Sequence, residues 1–179
     1  MLTDERILPH FHYAIQSFSD TVLQHMKRNY DAQHLKTILQ RTRKLKRPQS
    51  ELISLGADLI IGFPGESEED FLKTLQGVEE YGITKLHAFP FSDHHKGETI
   101  PASLYPQQVA QEVKKERESR LLTLGDKIRK EFIEKNVGTQ HTVLIEEYRE
   151  GKWRGRTENY IQVELEGEYQ KGQIISLAF

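Results

Sequence analysis

The chain has no cysteine among its 179 residues, and that absence removes disulfides, thiolate metal sites, thiolate-ligated iron–sulfur clusters and cysteine nucleophiles together. It also fits a reducing compartment, since secreted chains of this size often carry bridges. A cytoplasmic location is therefore expected. No apolar run approaches the roughly 20 residues needed to span a bilayer, and the opening MLTDERILPHF lacks the basic-then-apolar layout of a signal peptide. A soluble protein without a membrane or DNA partner is expected. Internal repeats and low-complexity tracts are lacking too.

What is present is enough chain for one ordinary domain, or for a larger piece with a small module attached. Net charge is only −2, yet it is unevenly spread. Leu23 to Arg47 holds eight Lys/Arg against the single acid Asp31, whereas Glu66 to Asp70 is acidic. Composition favours a solvated helix face for the basic stretch over a phosphate site.

Alternation of apolar and polar residues over Ile7 to Ser17 predicts a strand. Ser19 or Asp20 can cap a helix through Met26, and Asp31 a second one carrying Leu35, Ile38, Leu39 and Leu45 up to Pro48. Leu52 to Phe63 is the next strand; its run LIIGF reads as covered on both faces. Ser67 to Tyr81 follows as a helix with Phe71, Leu72, Leu75 and Val78 inward, ended by Gly82, and Thr84 to Phe91 as a strand. Strand, helix, strand, helix, strand argues an α/β parallel sheet with crossover helices. Pro106 to Asn136 reads as one long charged helix with Val109, Val113, Leu121, Leu122, Leu124 and Ile128 on a stripe, weakened at Gly125. Its interleaved lysines, arginines and glutamates look like an ordinary solvated helix. After Gly138, short alternating segments at Thr139–Glu147, Trp153–Arg156, Tyr160–Leu165 and Gln173–Phe179 suggest a small all-β barrel. The division falls near residue 137, giving 1–137 and 138–179.

The stretch ADLIIGFPGESEEDF, from Ala57 to Phe71, runs a strand through glycines into a helix start. Such loops often cradle phosphate, but here Glu66, Ser67, Glu68, Glu69 and Asp70 follow the last glycine where a phosphate loop needs lysine. Ser67 with Asp70 approximates a capping box. Gly62 and Gly65 are left either as a tight turn without a ligand or as a close approach to something flat, neutral or cationic.

Three ordered blocks, HFHYAIQSFSDTVLQHMKRNY, ADLIIGFPGESEEDF and LHAFPFS, resemble the radical S-adenosylmethionine (SAM) methylthiotransferase family. In that family a strand like H-x-P-Q-S-G-S-D precedes Met-x-R-x-Tyr, D-x-I-x-G-F-P-G-E-T and H-x-F-x-Y-S. The resemblance covers nearly all of the chain. It implies the later strands of a TIM-like barrel followed by the family's RNA-binding TRAM barrel. It implies further that SAM lies against Gln16, Ser17, Asp58, the backbone of Ile60, Ile61 and Gly62, and Phe89. The family uses [4Fe–4S] clusters, for which this chain has no thiolates, so a carboxy-terminal portion that is inactive alone is expected. A non-catalytic RNA-binding remnant is the alternative.

The implied parent adds sulfur and a methyl group at C2 of a modified adenosine beside the tRNA anticodon. The stretch Arg156-Thr-Glu-Asn-Tyr-Ile-Gln-Val163 is similar to that of enzymes acting on N6-threonylcarbamoyladenosine. Isopentenyladenosine enzymes come second and ribosomal-protein enzymes third. Two departures stand out. Phe18 replaces a usual glycine, and Ser92-Asp-His-His-Lys96 stands where an arginine is common, with His94, His95 or Lys96 as possible substitutes.

Lys152, Trp153, Arg154, Arg156, Asn159 and Tyr160 mix cations with stacking rings, as a surface for the tRNA anticodon stem-loop requires. The competing reading packs both rings into a barrel core. Among the eight histidines, His10 and His12 point the same way from one strand, but no carboxylate or third histidine can be placed beside them from sequence. No metal site is expected. Half a barrel would leave strand edges bare, which predicts poor solubility unless the chain oligomerises.

Overall fold

The computed structural model describes residues 4, 6–45, 52–92 and 105–178. His94, His95, Lys96, Pro48 and Phe179 therefore lie outside the described residues.

The element order is β1 (His10–Gln16), α1 (Asp20–His25), α2 (Ala32–Arg43), β2 (Ser54–Ile61), α3 (Glu68–Tyr81), β3 (Lys85–Pro90), α4 (Gln111–Asn136), β4 (Gln140–Arg149), β5 (Lys152–Thr157), β6 (Gln162–Leu165) and β7 (Ile174–Ala178). β1, β2 and β3 form one sheet in that order. β2 and β3 run parallel, with Asp58 opposite His87 and Ile60 opposite Phe89. The remaining strands form an antiparallel sheet ordered β6-β5-β4-β7.

β2 departs from its expected two-sided cover. Leu55, Ala57, Leu59 and Ile61 are fully buried, whereas Asp58 and Ile60 are only half-buried, so one face of the strand meets helices and the other is open. Asp31 caps α2 as expected, accepting from His34 N at 2.7 Å. Arg43 at the far end of α2 donates to the Tyr81 and Gly82 carbonyls at 2.7 and 2.6 Å, satisfying the last carbonyls of α3. α3 begins with the anticipated Ser67–Asp70 capping box and ends at Gly82 with φ 57°. Its inward face is Phe71, Thr74, Gly77 and Val78; Leu72 points outward, a one-position error in the expected stripe.

α4 corrects the solvated-helix expectation. Its buried positions are 114, 117, 121, 125, 128, 132 and 136, a clean three-four spacing that includes Lys114 and Arg117 and leaves Val113 and Leu122 exposed. The helix continues through Gly125, which lies against Leu86.

The chain divides into two compact units. One comprises residues 12–44 and 55–129; the other comprises 1–11, 45–54 and 130–179. In the second, Val143, Ile145 and Val163 form a core with Trp153, Leu165, Tyr169, Ile175 and Leu177 packed on it. No helix among the described residues is long and apolar enough to cross a membrane.

Candidate functional site

β1 ends in a strained turn. Ser17 N donates to Ile15 O at 2.9 Å across Gln16, whose φ is 68°. The left-handed region costs a side-chain-bearing residue roughly 1–2 kcal/mol, and such strain collects at sites where position matters more than stability. The Tyr30 hydroxyl donates to Ala14 O at 2.9 Å and steadies the strand end. Ser17 is turned inward and fully buried: its hydroxyl lies 3.2 Å from Thr74 Oγ1 on α3 and accepts from Ser19 N at 3.1 Å. Phe18 likewise packs away from the strand ends, against Gly77 and stacked on Tyr81 at 5.8 Å.

The acidic loop is held by its own chain. Glu66 accepts from Gly62 N at 2.8 Å and from Arg117 Nη1 at 2.7 Å, with both side chains nearly fully buried. Burial pushes the Glu66 carboxyl above its ordinary value, against the pull of the Gly62 N–H and Arg117. Removing one partner of such a pair costs about 3–5 kcal/mol because the other charge is stranded. Gly62 has φ 67°, and a side chain there would run into the stem of Lys114. Lys114 Nζ donates to Phe91 O at 2.8 Å. Glu68 pairs with Arg120 at 2.8 Å, and Asp70 Oδ1 accepts from Ser19 Oγ at 2.6 Å. The glycines thus make room for α4 and for the Glu66 clasp. The Ile61 carbonyl accepts from Phe91 N at 2.7 Å and its side chain is buried. The glutamate after the glycines and the lysine and arginine on the buried stripe of α4 were the available sequence signals for this clasp.

The open face of the sheet carries the rest. Ile60 and its partner Phe89, which is 52% exposed, lie on adjacent strands near their carboxyl ends. Two residues earlier on the same strands, Asp58 Oδ1 lies 2.8 Å from His12 Nε2 and 3.1 Å from His87 Nδ1. Partial burial raises the Asp58 carboxyl, but the hydrogen bonds and charge of His12 and His87 outweigh it and hold the group below its ordinary value. No carboxylate or third histidine could be placed beside His12 from sequence, and strand pairing brings in both, from positions 46 and 75 residues away. His87 was missed although it sits two residues before Phe89, on the same face.

On β5, alternation separates the expected RNA-contacting residues. Lys152, Arg154 and Arg156 share one face, while Trp153 turns to the core and neighbours Tyr148 at 5.3 Å. Asn159 is wholly buried, donating to Asn136 Oδ1 at 2.8 Å and accepting from Thr157 Oγ1 at 2.7 Å. Tyr160 stacks on His10 at 4.1 Å and lies 4.6 Å from the Arg156 guanidinium. Trp153 and Asn159 are therefore engaged inside the unit, whereas Tyr160 stays 37% exposed beside Arg156. Arg154 pairs with Glu150 and Glu164, and Arg156 with Glu146.

A three-stranded sheet whose β2 and β3 run parallel, with helices on its buried face and the other face open, defines an α/β domain. A solved structure with the same fold agrees: the radical SAM enzyme coproporphyrinogen III oxidase of Escherichia coli superposes with a TM-score of 0.54 at 19% identity, over 67% of this chain and 27% of that one. No protein-family model matches the chain. Curated proteins do. The threonylcarbamoyladenosine tRNA methylthiotransferase of Bacillus subtilis is 35% identical over 179 residues, covering 97% of this chain and 38% of its own length. The tRNA-2-methylthio-N(6)-dimethylallyladenosine synthase of Thermobifida fusca is 38% identical over 147 residues, covering 82% and 28%. The chain belongs to the radical SAM methylthiotransferase family, and it spans less than two fifths of the length of these relatives.

Proposed function

We propose that the chain is the carboxy-terminal portion of a tRNA methylthiotransferase that acts on N6-threonylcarbamoyladenosine beside the anticodon. The observation that carries this reading is the alignment with the Bacillus subtilis enzyme, which runs through 97% of the chain at 35% identity, taken together with the Arg156–Val163 stretch; dimethylallyladenosine synthases align over 82–93% of the chain.

Gln16, Ile60 and Phe89 fit SAM by their chemistry. Ile60 and Phe89 offer an apolar surface to an adenine, the Gln16 amide can donate and accept, and none of the three carries a charge to repel a sulfonium. Ser17, Asp58, Ile61 and Gly62 are engaged within the chain and are not part of this set. Bound SAM supplies the radical chemistry and the methyl group; the reducing cluster needs thiolates that this chain does not contain. The chain's own part is to shape the nucleoside's bed and to keep it rigid through the Glu66–Arg117 clasp behind β2.

Lys152, Arg154 and Arg156 are the proposed RNA contacts. Their glutamate partners are exposed enough that each ion pair is worth about 0–1 kcal/mol, so phosphate can replace them. The test of the whole reading is a transplant: this chain replaces the matching segment of the Bacillus subtilis enzyme in cells lacking their own copy, and the tRNA nucleosides are analysed by mass spectrometry.

A further inference from the structure

His12, Asp58 and His87 come from three neighbouring strands of one sheet, and all three belong to the same compact unit. One donor atom from each lies within 4.8 Å of the other two. Both imidazoles address the same carboxylate oxygen, at 2.8 and 3.1 Å, and their ring centroids are 5.1 Å apart. The His12 ring rests on Gly56, where any side chain would strike it, so the ring's place is built into the sheet. The side chains are 31%, 32% and 45% exposed, which leaves one side of the cluster open to solvent.

We propose that His12, Asp58 and His87 form a binding site for a divalent transition-metal ion, distinct from any iron–sulfur cluster. Two imidazoles and one carboxylate are the nitrogen and oxygen donors that Zn²⁺, Co²⁺ and Fe²⁺ take, and three protein ligands with open positions are the pattern of a metal centre that can hold a water or a substrate oxygen. In tetrahedral zinc geometry, with bonds of about 2.0–2.2 Å, neighbouring donors sit roughly 3.3–3.5 Å apart. The two carboxylate contacts are slightly shorter than that, so modest side-chain rotation is enough to admit an ion. Without metal, protons on the two ring nitrogens bridge to Asp58; an ion displaces those protons. The site stands one layer below Ile60 and Phe89 in the strand register, so it needs neither SAM nor a cluster.

The test is calorimetric titration of the full 179-residue chain with Zn²⁺, repeated with Co²⁺ and followed by visible absorption. The expected result is one tight Zn²⁺ equivalent and Co²⁺ ligand-field bands. Asp58→Asn and His87→Gln should each weaken binding by about tenfold or more, and His34→Gln, on the exposed surface of α2, should leave it unchanged. Zn²⁺ should also raise the melting temperature of the parent chain and of the His34→Gln variant alone. His87 is half-exposed, so the His87→Gln chain should fold even if Asp58→Asn does not. Equal Zn²⁺ affinity in the parent and in the folded His87→Gln chain, or no Co²⁺ bands in the parent, would overturn the proposal.

Discussion

Gln16 holds a left-handed backbone that glycine would adopt freely. Gln16→Gly removes roughly 1–2 kcal/mol of strain but adds about 0.5–1 kcal/mol of unfolded-state entropy, so thermal stability should stay level or rise slightly. In the transplanted enzyme the same change should weaken SAM binding, because the amide is lost. A stability loss with unchanged SAM affinity would make the turn merely structural. Asp70 offers a pH test. Burial raises its carboxyl, but hydrogen bonds from Ser19 and Ser67 outweigh it and hold the group below the ordinary value of 3.8. A carboxyl lowered on folding contributes stability above its unfolded value and loses it as pH falls through the folded one. Melting curves should therefore show the parent losing more stability than Asp70→Asn between about pH 5 and pH 3, while at neutral pH the variant is weaker by about 1 kcal/mol.

At the scale of elements, the packing of the turn after β1 on α3 rests on a large residue, Phe18, facing a small one, Gly77. A side-chain carbon at Gly77 would lie 2.5 Å from the ring of Phe18. Helix propensity favours Gly77→Ala by about 1 kcal/mol, but overpacking a buried ring costs about 1–3 kcal/mol, so the variant should melt lower. Combined with Phe18→Ala, the alanine should become neutral or favourable, a coupling that a double-mutant cycle measures. On β5, replacing both Arg154 and Arg156 with Ala should weaken anticodon stem-loop binding and reduce the slope of log affinity against log salt by about 2. An unchanged slope would remove β5 from the RNA contact. The elements themselves were legible: the capping box at Ser67, the Asp31 cap, the three parallel-type strands and the four later strands fall within a few residues of their sequence bounds. What periodicity missed were pairings made of charges. Lys114 and Arg117 occupy core positions of α4 because Glu66 and the Phe91 carbonyl wait for them, and a scan for apolar stripes assigns both to solvent.

At the scale of the molecule, the ordered blocks around Gln16, Gly62 and Phe89 were enough to point to the methylthiotransferase family, because a strand-loop-helix order is fixed by local sequence. The site was legible only in part. Strand order puts Ile60 beside Phe89, Gln16 is only 7% exposed, and Ser17, Gly62 and Asn159 are engaged by partners 4 to 57 residues away, of which only Glu66 lies within reach of a local pattern. The histidine and carboxylate cluster was hidden for the same reason, since its three members meet only across strands. Substrate choice is read from tRNA nucleosides of cells carrying the transplanted segment. Methylthio groups on threonylcarbamoyladenosine, with dimethylallyladenosine left unmodified, are the expected result. A stably folded chimera that leaves threonylcarbamoyladenosine unmodified, or modifies only dimethylallyladenosine, would contradict it.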